Sequence, residues 1–157
     1  MPLLVSSHKT PIGTLNLLAD DQILIGANLS TVSAFKAGPN VKTVKSIPVI
    51  SDLISDYFDG DLTALNGIQV RQPGAAFSQA AWKAMRKIAA GKAYSDAYLA
   101  AKAGSPAAVR AAGSACANNA IMLVVPCHRV VKTGGALGNY AYGVDKKEWL
   151  LTHEGFL

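Results

Sequence analysis

The sequence of 157 residues contains little cysteine and no long hydrophobic run. Its two cysteines, Cys116 and Cys127, are too few for a disulfide framework, and with three histidines they lack the paired spacing of metal ligands, so we expect no metal site. No run approaches the roughly 18 consecutive apolar residues of a membrane-spanning helix. The start, MPLLVSSHKT, lacks the charged beginning and apolar core of a secretory signal. We expect a cytoplasmic protein without a membrane partner.

Acidic residues are scarce in the second half of the chain. Residues 1–75 carry five Lys and Arg against six Asp and Glu, a net charge of −1, whereas residues 76–157 carry ten against four, a net charge of +6. A basic half joined to a nearly neutral half favours a polyanion-binding portion. Solvated surface lysines without any ligand produce the same bias and remain the alternative.

A change in composition predicts two domains, residues 1–73 and residues 74–157. In the first, two apolar runs flank the pair Asp20-Asp21 and predict a β-hairpin, residues 50–58 have apolar side chains at helical spacing, and GIQV at 67–70 predicts a short strand. The first domain is therefore expected to be a small α+β domain.

The second domain is expected to be helical. Residues 75–120 contain 19 alanines among 46 residues, and alanine is the strongest helix former. One helix is predicted from Phe77, with Gly91 as its stop, a second over 95–103, and a third from Ser105 as N-cap to the asparagine pair at 118–119. The last two helices, joined by a tight turn that contains glycine, fit a helix-turn-helix.

The third of these helices has almost no side chains. Ala108, Ala111, Gly113 and Ser114 are all small, and Arg110 is the one long group. Such a surface lets the backbone approach a partner closely. Tight packing against another helix explains the same composition, so both interpretations stay open at this point.

Cys127 and His128 lie together in VVPCHRVV, residues 124–131. A cysteine is nucleophilic only as thiolate, which requires a nearby base or positive charge to lower the thiol pKa. Because neighbours in an extended segment point to opposite sides, the chain must turn here or a water must link the two side chains. Asp145 and Glu154 are the nearest downstream carboxylates that could orient the imidazole. The alternative is a core cysteine beside a structural histidine.

The remaining segments are read as supporting structure. Val124 and Val125 are predicted to form a buried strand that ends at Pro126, residues 132–143 form a glycine-rich loop, and residues 145–155 form a C-terminal helix. Cys116 is expected to be an inert packing residue.

PCHRV at 126–130 resembles the active-site signature of the O6-alkylguanine-DNA alkyltransferases, also called methylated-DNA–protein-cysteine methyltransferases. The resemblance covers residues 77–155 in order and spacing, through FSQAAWKAM, GSPAAVRAAGSACANN, IMLVVPCHRVV, GALGNY and KEWLLTHEG. It implies an α+β protein with a small ribonuclease-H-like N-terminal domain and a helical C-terminal domain that contains a helix-turn-helix. It also implies a monomer that binds double-stranded DNA through the minor groove and associates with the nucleoid when bound.

The resemblance implies a reaction at Cys127. In the family, the matching thiolate takes an alkyl group from O6 of guanine, and from O4 of thymine, in one displacement, and each molecule acts once. His128 would act through water as general base, and Glu154 would orient it. Asn119 matches a hinge asparagine that holds the helix-turn-helix against the active-site segment. Neither a metal nor an organic cofactor is implied.

The resemblance also assigns contacts to a flipped base. Tyr140 would contact guanine N3, the backbone N–H of Ala141 would reach O6, and the carbonyls of Cys127 and Val130 would accept from the exocyclic amine. Arg110 would fill the space that the extruded nucleotide leaves, since the alkyl group cannot be reached inside the duplex.

The expected DNA-binding surface departs from the family at one position. The small residues implied to contact DNA are Ala108, Ala111, Gly113, Ser114 and Ser95. Family members usually have a tyrosine directly after the serine, whereas this chain has Asp96, whose carboxylate would repel phosphate. Either Tyr94 or Tyr98 takes over the role, or base rotation is weaker; our hypothesis is that Tyr98 points elsewhere and the role is partly lost.

Two other functions compete with alkyl transfer. A non-catalytic helix-turn-helix protein would bind and flip the alkylated base without repairing it, but such proteins lack the reactive cysteine that Cys127 would supply. A cysteine hydrolase would need an oxyanion hole and would turn over repeatedly instead of stopping after one equivalent.

Overall fold

The computed structural model describes residues 2–157, which form two compact units. Unit 1 is the chain up to Gln72 together with Ala120–Val124, and unit 2 is Pro73–Asn119 with Val125–Leu157. The expected second domain, 74–157, was wrong for the segment 120–124. This segment joins unit 1 because the Ala27 N–H donates to the Ala120 carbonyl at 3.0 Å and the Ala27 carbonyl accepts from the Met122 N–H at 3.2 Å.

Unit 1 is built on a five-stranded mixed sheet in the order β4-β1-β2-β3-β5. Its strands are β1 (Leu3–Thr10), β2 (Gly13–Asp20), β3 (Ile23–Asn28), β4 (Val41–Thr43) and β5 (Gln69–Val70). The first three are antiparallel neighbours, whereas β4 pairs with β1, and β5 with β3, in parallel. The predicted hairpin is confirmed at the β2–β3 turn, where Asp21 has φ +54°, a conformation that aspartate tolerates.

Helix α1 (Ile50–Phe58) of unit 1 confirms the prediction from helical spacing. Its buried residues include Ile50, Ile54 and Tyr57, which recur every three or four positions and so form one apolar face. Strand β1 was not predicted, although it pairs with β2 from Leu4 to Thr10.

Unit 2 contains four α-helices and one short parallel strand pair among its described residues. They are α2 (Ala76–Met85), β6 (Tyr94–Ser95), α3 (Asp96–Lys102), α4 (Val109–Ala117), β7 (Val130–Val131) and α5 (Val144–His153). Helix α3 is capped by Ser95, whose Oγ accepts from the Tyr98 N–H at 3.1 Å. The Trp82 indole N–H of α2 donates to the Ala115 carbonyl of α4 at 2.9 Å, which joins the two helices.

Two helix limits in unit 2 differ from those predicted. Helix α2 ends at Met85, before the predicted stop at Gly91, and continues as a turn. Helix α4 begins at Val109, because the Ala108 N–H donates to the Ser105 carbonyl at 2.9 Å and closes a separate turn over the predicted first helical residues.

The predicted buried strand at Val124 and Val125 is wrong. The Val124 N–H donates to the Met122 carbonyl and the Cys127 N–H donates to the Val125 carbonyl, each at 2.9 Å, so the chain runs through consecutive tight turns. Leu123 has φ +74°, which a strand does not allow. A run of buried valines therefore looks alike in a buried strand and in buried turns.

None of the helices in the described part of the chain is long and apolar enough to cross a membrane.

Candidate active site

Cys127 begins a short 3-10 helix, Cys127–Arg129, and lines a pocket of about 420 Å³ in unit 2. The walls come from α4, β7, the loop at 137–141 and α5. Because the 3-10 turn redirects successive side chains, the cysteine faces this pocket while the following His128 is completely buried. Sequence analysis required either a turn or a linking water if Cys127 and His128 were to serve one site. The 3-10 helix supplies that turn.

His128 is held by a buried carboxylate. Its Nε2 lies 2.9 Å from Oε2 of Glu154, and neither side chain is exposed. Asp145, the other candidate, is exposed and lies 3.6 Å from Nζ of Lys146. Of the two carboxylates that sequence reasoning left open, Glu154 is the partner.

Arg129 completes this buried cluster and was not predicted to do so. Its Nε donates to Oε1 of Glu154 at 2.8 Å and its Nη2 donates to Oε2 at 2.9 Å, a bidentate pair, while Nη1 donates to the Ile88 carbonyl at 2.7 Å. Arg129 follows His128 directly in the sequence, but its guanidinium does not bond to the Cys127 side chain. The guanidinium instead serves the carboxylate that holds His128.

The cluster fixes the protonation of its members. Burial by itself raises the pKa of the Glu154 carboxyl, but the hydrogen bonds and charges of His128 and Arg129 outweigh it, so the pKa lies well below its usual range. An ionised carboxylate can only accept, so the proton in the 2.9 Å contact is on Nε2 of His128. Burial lowers the pKa of His128 against the opposing pull of Glu154. At neutral pH the imidazole is therefore neutral, with Nδ1 as acceptor.

Nδ1 of His128 is buried and has no hydrogen-bond partner among the described residues. A neutral imidazole with its Nε2–H fixed by a carboxylate can accept a proton at its other nitrogen, Nδ1. The tautomer follows from the ionised state of Glu154. An ionised carboxylate has no proton to donate, so the proton shared with Oε2 belongs to Nε2 of His128.

Two neighbours act on the Cys127 thiol. Burial raises its pKa, whereas a side-chain hydrogen bond with Asn119 and the charge of Lys147 lower it. Asn119 follows α4, and its Nδ2 donates to the Val125 carbonyl at 2.8 Å, which ties the end of that helix to the turn before the cysteine. This contact joins the two segments that the predicted hinge asparagine was expected to join.

Lys147 of α5 is a buried cation that sequence reasoning missed. Only 2% of it is exposed, and its Nζ donates to the Val130 carbonyl at 2.7 Å and contacts the Asn139 carbonyl at 3.5 Å. The lysine thus holds β7 to the loop on the opposite wall of the pocket. Helical spacing with the buried Leu150, Leu151 and Glu154 was a signal that could have identified it.

Comparison with known proteins decides the family. The model of the 6-O-methylguanine DNA methyltransferase DNA-binding domain matches residues 76–156. A methylated-DNA–protein-cysteine methyltransferase of Salmonella typhimurium is 36% identical over 166 residues, which cover 99% of this chain and 97% of that protein. The chain belongs to the methylated-DNA–protein-cysteine methyltransferase family.

Solved structures from Mycobacterium tuberculosis share the mixed α+β fold of this family member. Its O6-methylguanine methyltransferase superposes with a TM-score of 0.86 at 30% identity, over 98% of this chain and 93% of that one. A second structure, of the same organism's OGT in complex with DNA, gives a TM-score of 0.86 at 30% identity, over 97% and 92% of the two chains.

The residues implied to contact the base line the same pocket in this family member. Tyr140 and Ala141 lie on the loop that closes one side, and Val130 lies on β7 opposite. The Tyr140 ring packs edge-on against Tyr142, with centroids 5.8 Å apart. The Val130 carbonyl that was expected to accept from guanine already accepts from Lys147, which leaves its second lone pair.

The residues of α4 that were expected to contact DNA lie in two environments. Arg110, Ala111 and Ser114 are exposed, whereas Gly113 lines the Cys127 pocket. Ala108 precedes the helix as its N-cap residue, and the Ser114 hydroxyl donates to the Arg110 carbonyl at 3.2 Å within the helix.

Cys116 of α4, which was expected to be an inert packing residue, also lines the pocket. Burial, the Cys127 thiol and Asp96 raise its pKa to about 12, and Lys147 does not compensate. Cys116 therefore stays protonated at neutral pH. Of the two thiols in the pocket, Cys127 is the one that touches the Asn119 amide and precedes His128.

Asp96 lines the pocket, half-buried, where the family usually has tyrosine. Burial raises the pKa of its carboxyl, and the charges of Lys147 and Lys132 lower it. Tyr94 and Tyr98 line a different groove, so neither lies beside Asp96 in the pocket wall. No group of three His, Cys, Asp or Glu side chains within residues 2–157 is arranged to hold a metal ion.

Lys147→Met is expected to slow alkylation of Cys127 by iodoacetamide at pH 7 about tenfold or more. The variant removes the positive charge that favours the thiolate, and each unit of increase in thiol pKa lowers the thiolate fraction about tenfold. The measurement is the pH profile of the alkylation rate in a Cys116→Ala background. Lys146→Met is the matched control, and Lys147→Arg retains the charge; superimposable profiles for Lys147→Met and Lys146→Met would contradict the assignment.

Proposed function

We propose that this chain repairs alkylated double-stranded DNA by transferring an alkyl group from O6 of guanine, and from O4 of thymine, to Cys127. One observation carries the proposal: Cys127 opens on a pocket directly beside a buried, neutral His128 whose Nε2–H is fixed by Glu154. Membership of the family and the likeness to a DNA-bound relative support the same reaction.

In this mechanism His128 generates the nucleophile. Its Nδ1 takes the thiol proton of Cys127 through a bridging water, and Glu154 stabilises the imidazolium that forms. The sulfur lone pair then forms a bond to the alkyl carbon while the carbon–O6 bond breaks, and that electron pair leaves on the guanine. The Tyr140 hydroxyl gives its proton to N3 of the leaving base, and the proton that His128 took from the thiol returns through water to the Tyr140 oxygen, so the guanine leaves neutral and the imidazole is neutral again.

The pocket volume suits one flipped base. A volume of about 420 Å³ lies within the range of roughly 300–1,000 Å³ typical of small-molecule sites. The Ala141 N–H would donate to O6, and the carbonyls of Cys127 and Val130 would accept from the exocyclic amine. Such contacts distinguish guanine from adenine, whose exocyclic amine is at C6 and not at C2.

DNA would bind through α3 and α4 as a helix-turn-helix placed in the minor groove. The small exposed side chains of α4 allow its backbone to approach the narrow groove, and Arg110 is exposed on the same helix to fill the gap left by the flipped base. Ser95, Ala108, Ala111, Gly113 and Ser114 would form the surrounding contact surface. The net charge of +6 in residues 76–157 favours binding to phosphates. We propose that the protein acts as a monomer.

The five-stranded mixed sheet with its single α-helix supports a ribonuclease-H-like assignment for unit 1. The assignment is limited to the fold of unit 1, because the described residues that carry the chemistry lie in unit 2.

The proposal predicts stoichiometric repair. The thioether product is stable, so one protein molecule restores one guanine and then stops. Titration of a duplex containing O6-methylguanine with increasing protein should give a restored-guanine yield that equals the amount of protein. A non-catalytic binder would bind the duplex and restore none, and a hydrolase would exceed one equivalent.

Asp96→Tyr is expected to raise both the affinity for O6-methylguanine duplex and the single-turnover transfer rate. The substitution removes a carboxylate that would repel phosphate and restores the aromatic ring that family members usually have there. Binding titration and rapid-quench kinetics measure the two effects. Glu148→Gln, which removes an exposed carboxylate of α5, controls for net charge. If Asp96→Tyr changes neither quantity, the role assigned to this position is wrong.

A further inference from the structure

A second groove in unit 2, of about 560 Å³, shares no lining residue with the Cys127 pocket. It lies among α2, the turn that follows it, β6 and α3. Its polar wall consists of four lysines and two tyrosines: Lys83, Lys87, Lys92, Lys102, Tyr94 and Tyr98. We call this the α2–α3 groove. The proposed reaction uses none of these six residues.

The lysines of the α2–α3 groove have no protein counter-charge. All four are exposed, no carboxylate lines the groove, and no ion pair within residues 2–157 reaches any of them. Four like charges around one groove repel each other, and an anionic ligand with several charges removes that repulsion. The ligand that fits this groove is therefore a polyanion.

The aromatic pair narrows the choice of polyanion. The rings of Tyr94 and Tyr98 stack with centroids 4.1 Å apart and planes at 16°, and Tyr98 is 37% exposed. Lys102 Nζ lies 5.4 Å from the Tyr98 centroid, which brings a cation next to the ring. A stacked aromatic platform within a basic groove is the combination that binds the bases and phosphates of a single strand. An acidic protein surface or a phospholipid headgroup has no flat base that could stack on the tyrosine rings.

We propose that the α2–α3 groove is a second nucleic-acid site, which holds a single-stranded segment independently of the duplex contact through α4. The lysines bind successive phosphates. A base stacks on Tyr98, and the exposed Lys102 side chain turns from the ring to the neighbouring phosphate. The site does not depend on the transfer reaction, because it shares no residue with the Cys127 pocket.

The test uses a fluorescein-labelled oligothymidylate and the 157-residue chain. The double variant Lys83→Glu/Lys87→Glu is expected to weaken binding about tenfold or more and to reduce the slope of log affinity against log salt by about 1.4, the value for two phosphates of a single strand. Lys42→Glu/Lys45→Glu, in exposed positions of unit 1, makes the same change in net charge and is expected to weaken binding less than about threefold. Equal losses in the two double variants would overturn the proposal.

Tyr98 separates nucleic acid from other polyanions. Tyr98→Ala is expected to weaken oligothymidylate binding about fivefold or more, and Tyr98→Phe, which keeps the ring, is expected to restore it. Polyglutamate of equal charge should compete poorly. If it competes as well as oligothymidylate, or if Tyr98→Ala has no effect, the groove is not a nucleic-acid site. Single-turnover methyl transfer from a duplex is measured for every variant, so a loss of the proposed reaction is distinguished from a loss of this site.

Discussion

Cys127→Ala is expected to abolish alkyl transfer while the protein still binds duplex containing O6-methylguanine. The substitution removes the only atom that receives the alkyl group, and leaves the α4 surface and the rest of the pocket unchanged. Because it removes one half-buried sulfur, the free energy of unfolding should change by no more than about 1 kcal/mol. Single-turnover repair and a binding titration measure the two properties on the same preparation.

Cys116→Ala is the matched control for this prediction, since both thiols line the same pocket. The pKa of Cys116 is raised to about 12, so its thiol stays protonated and its removal should leave transfer to Cys127 in place. Transfer that persists in Cys127→Ala and disappears in Cys116→Ala would reverse the assignment. Loss of transfer in both variants would instead indicate that the pocket depends on its packing.

Glu154→Gln is expected to lower the free energy of unfolding by about 3–5 kcal/mol and to slow transfer by about 100-fold or more. The amide carries no charge, so the buried Arg129 guanidinium loses its counter-ion. One of the amide's two polar atoms is a donor that meets a donor of His128 or Arg129. The imidazole then loses both its fixed tautomer and the charge that stabilises the imidazolium. Urea unfolding and single-turnover kinetics measure the two effects.

The stability difference has a predicted pH dependence. The folded-state pKa of Glu154 is lowered from the ordinary value of 4.5, so its ionised form stabilises the fold at pH values above that value. The stabilisation is lost as pH falls below 4.5 towards the folded-state pKa. The difference between the wild type and Glu154→Gln should therefore be full at pH 7 and shrink under acid. Glu148→Gln on the exposed side of α5 should show no such difference, and a constant difference across pH would contradict the account.

Local periodicity predicted the elements whose stability depends on local sequence. Helix α1, the β2–β3 hairpin and the C-terminal helix α5 follow from helical spacing, turn residues and a final glycine. The strand prediction for Val124 and Val125 was wrong because burial makes a sequence apolar whether the backbone is extended or turning. The φ of +74° at Leu123 cannot be predicted from the amino-acid composition of the segment.

The candidate site shows the same limit. Family spacing pointed to Cys127, His128 and Glu154, and the structure brings the last two within 2.9 Å. Family spacing could not predict that Arg129 and Lys147 are buried, because the position of each side chain is determined by partners far along the chain. Arg129 bonds to Glu154, 25 residues away, and Lys147 bonds to Val130, 17 residues away. A charged side chain looks solvated in sequence until its tertiary partner is known.

The central claim is that the alkyl group ends on the sulfur of Cys127. The most direct test is intact-protein mass spectrometry after incubation with excess O6-methylguanine duplex, followed by peptide mapping. The account predicts that each molecule gains one methyl group, located on Cys127, with no further gain as DNA is added. A methyl group on Cys116, more than one methyl per molecule, or restored guanine with no change in protein mass would contradict it.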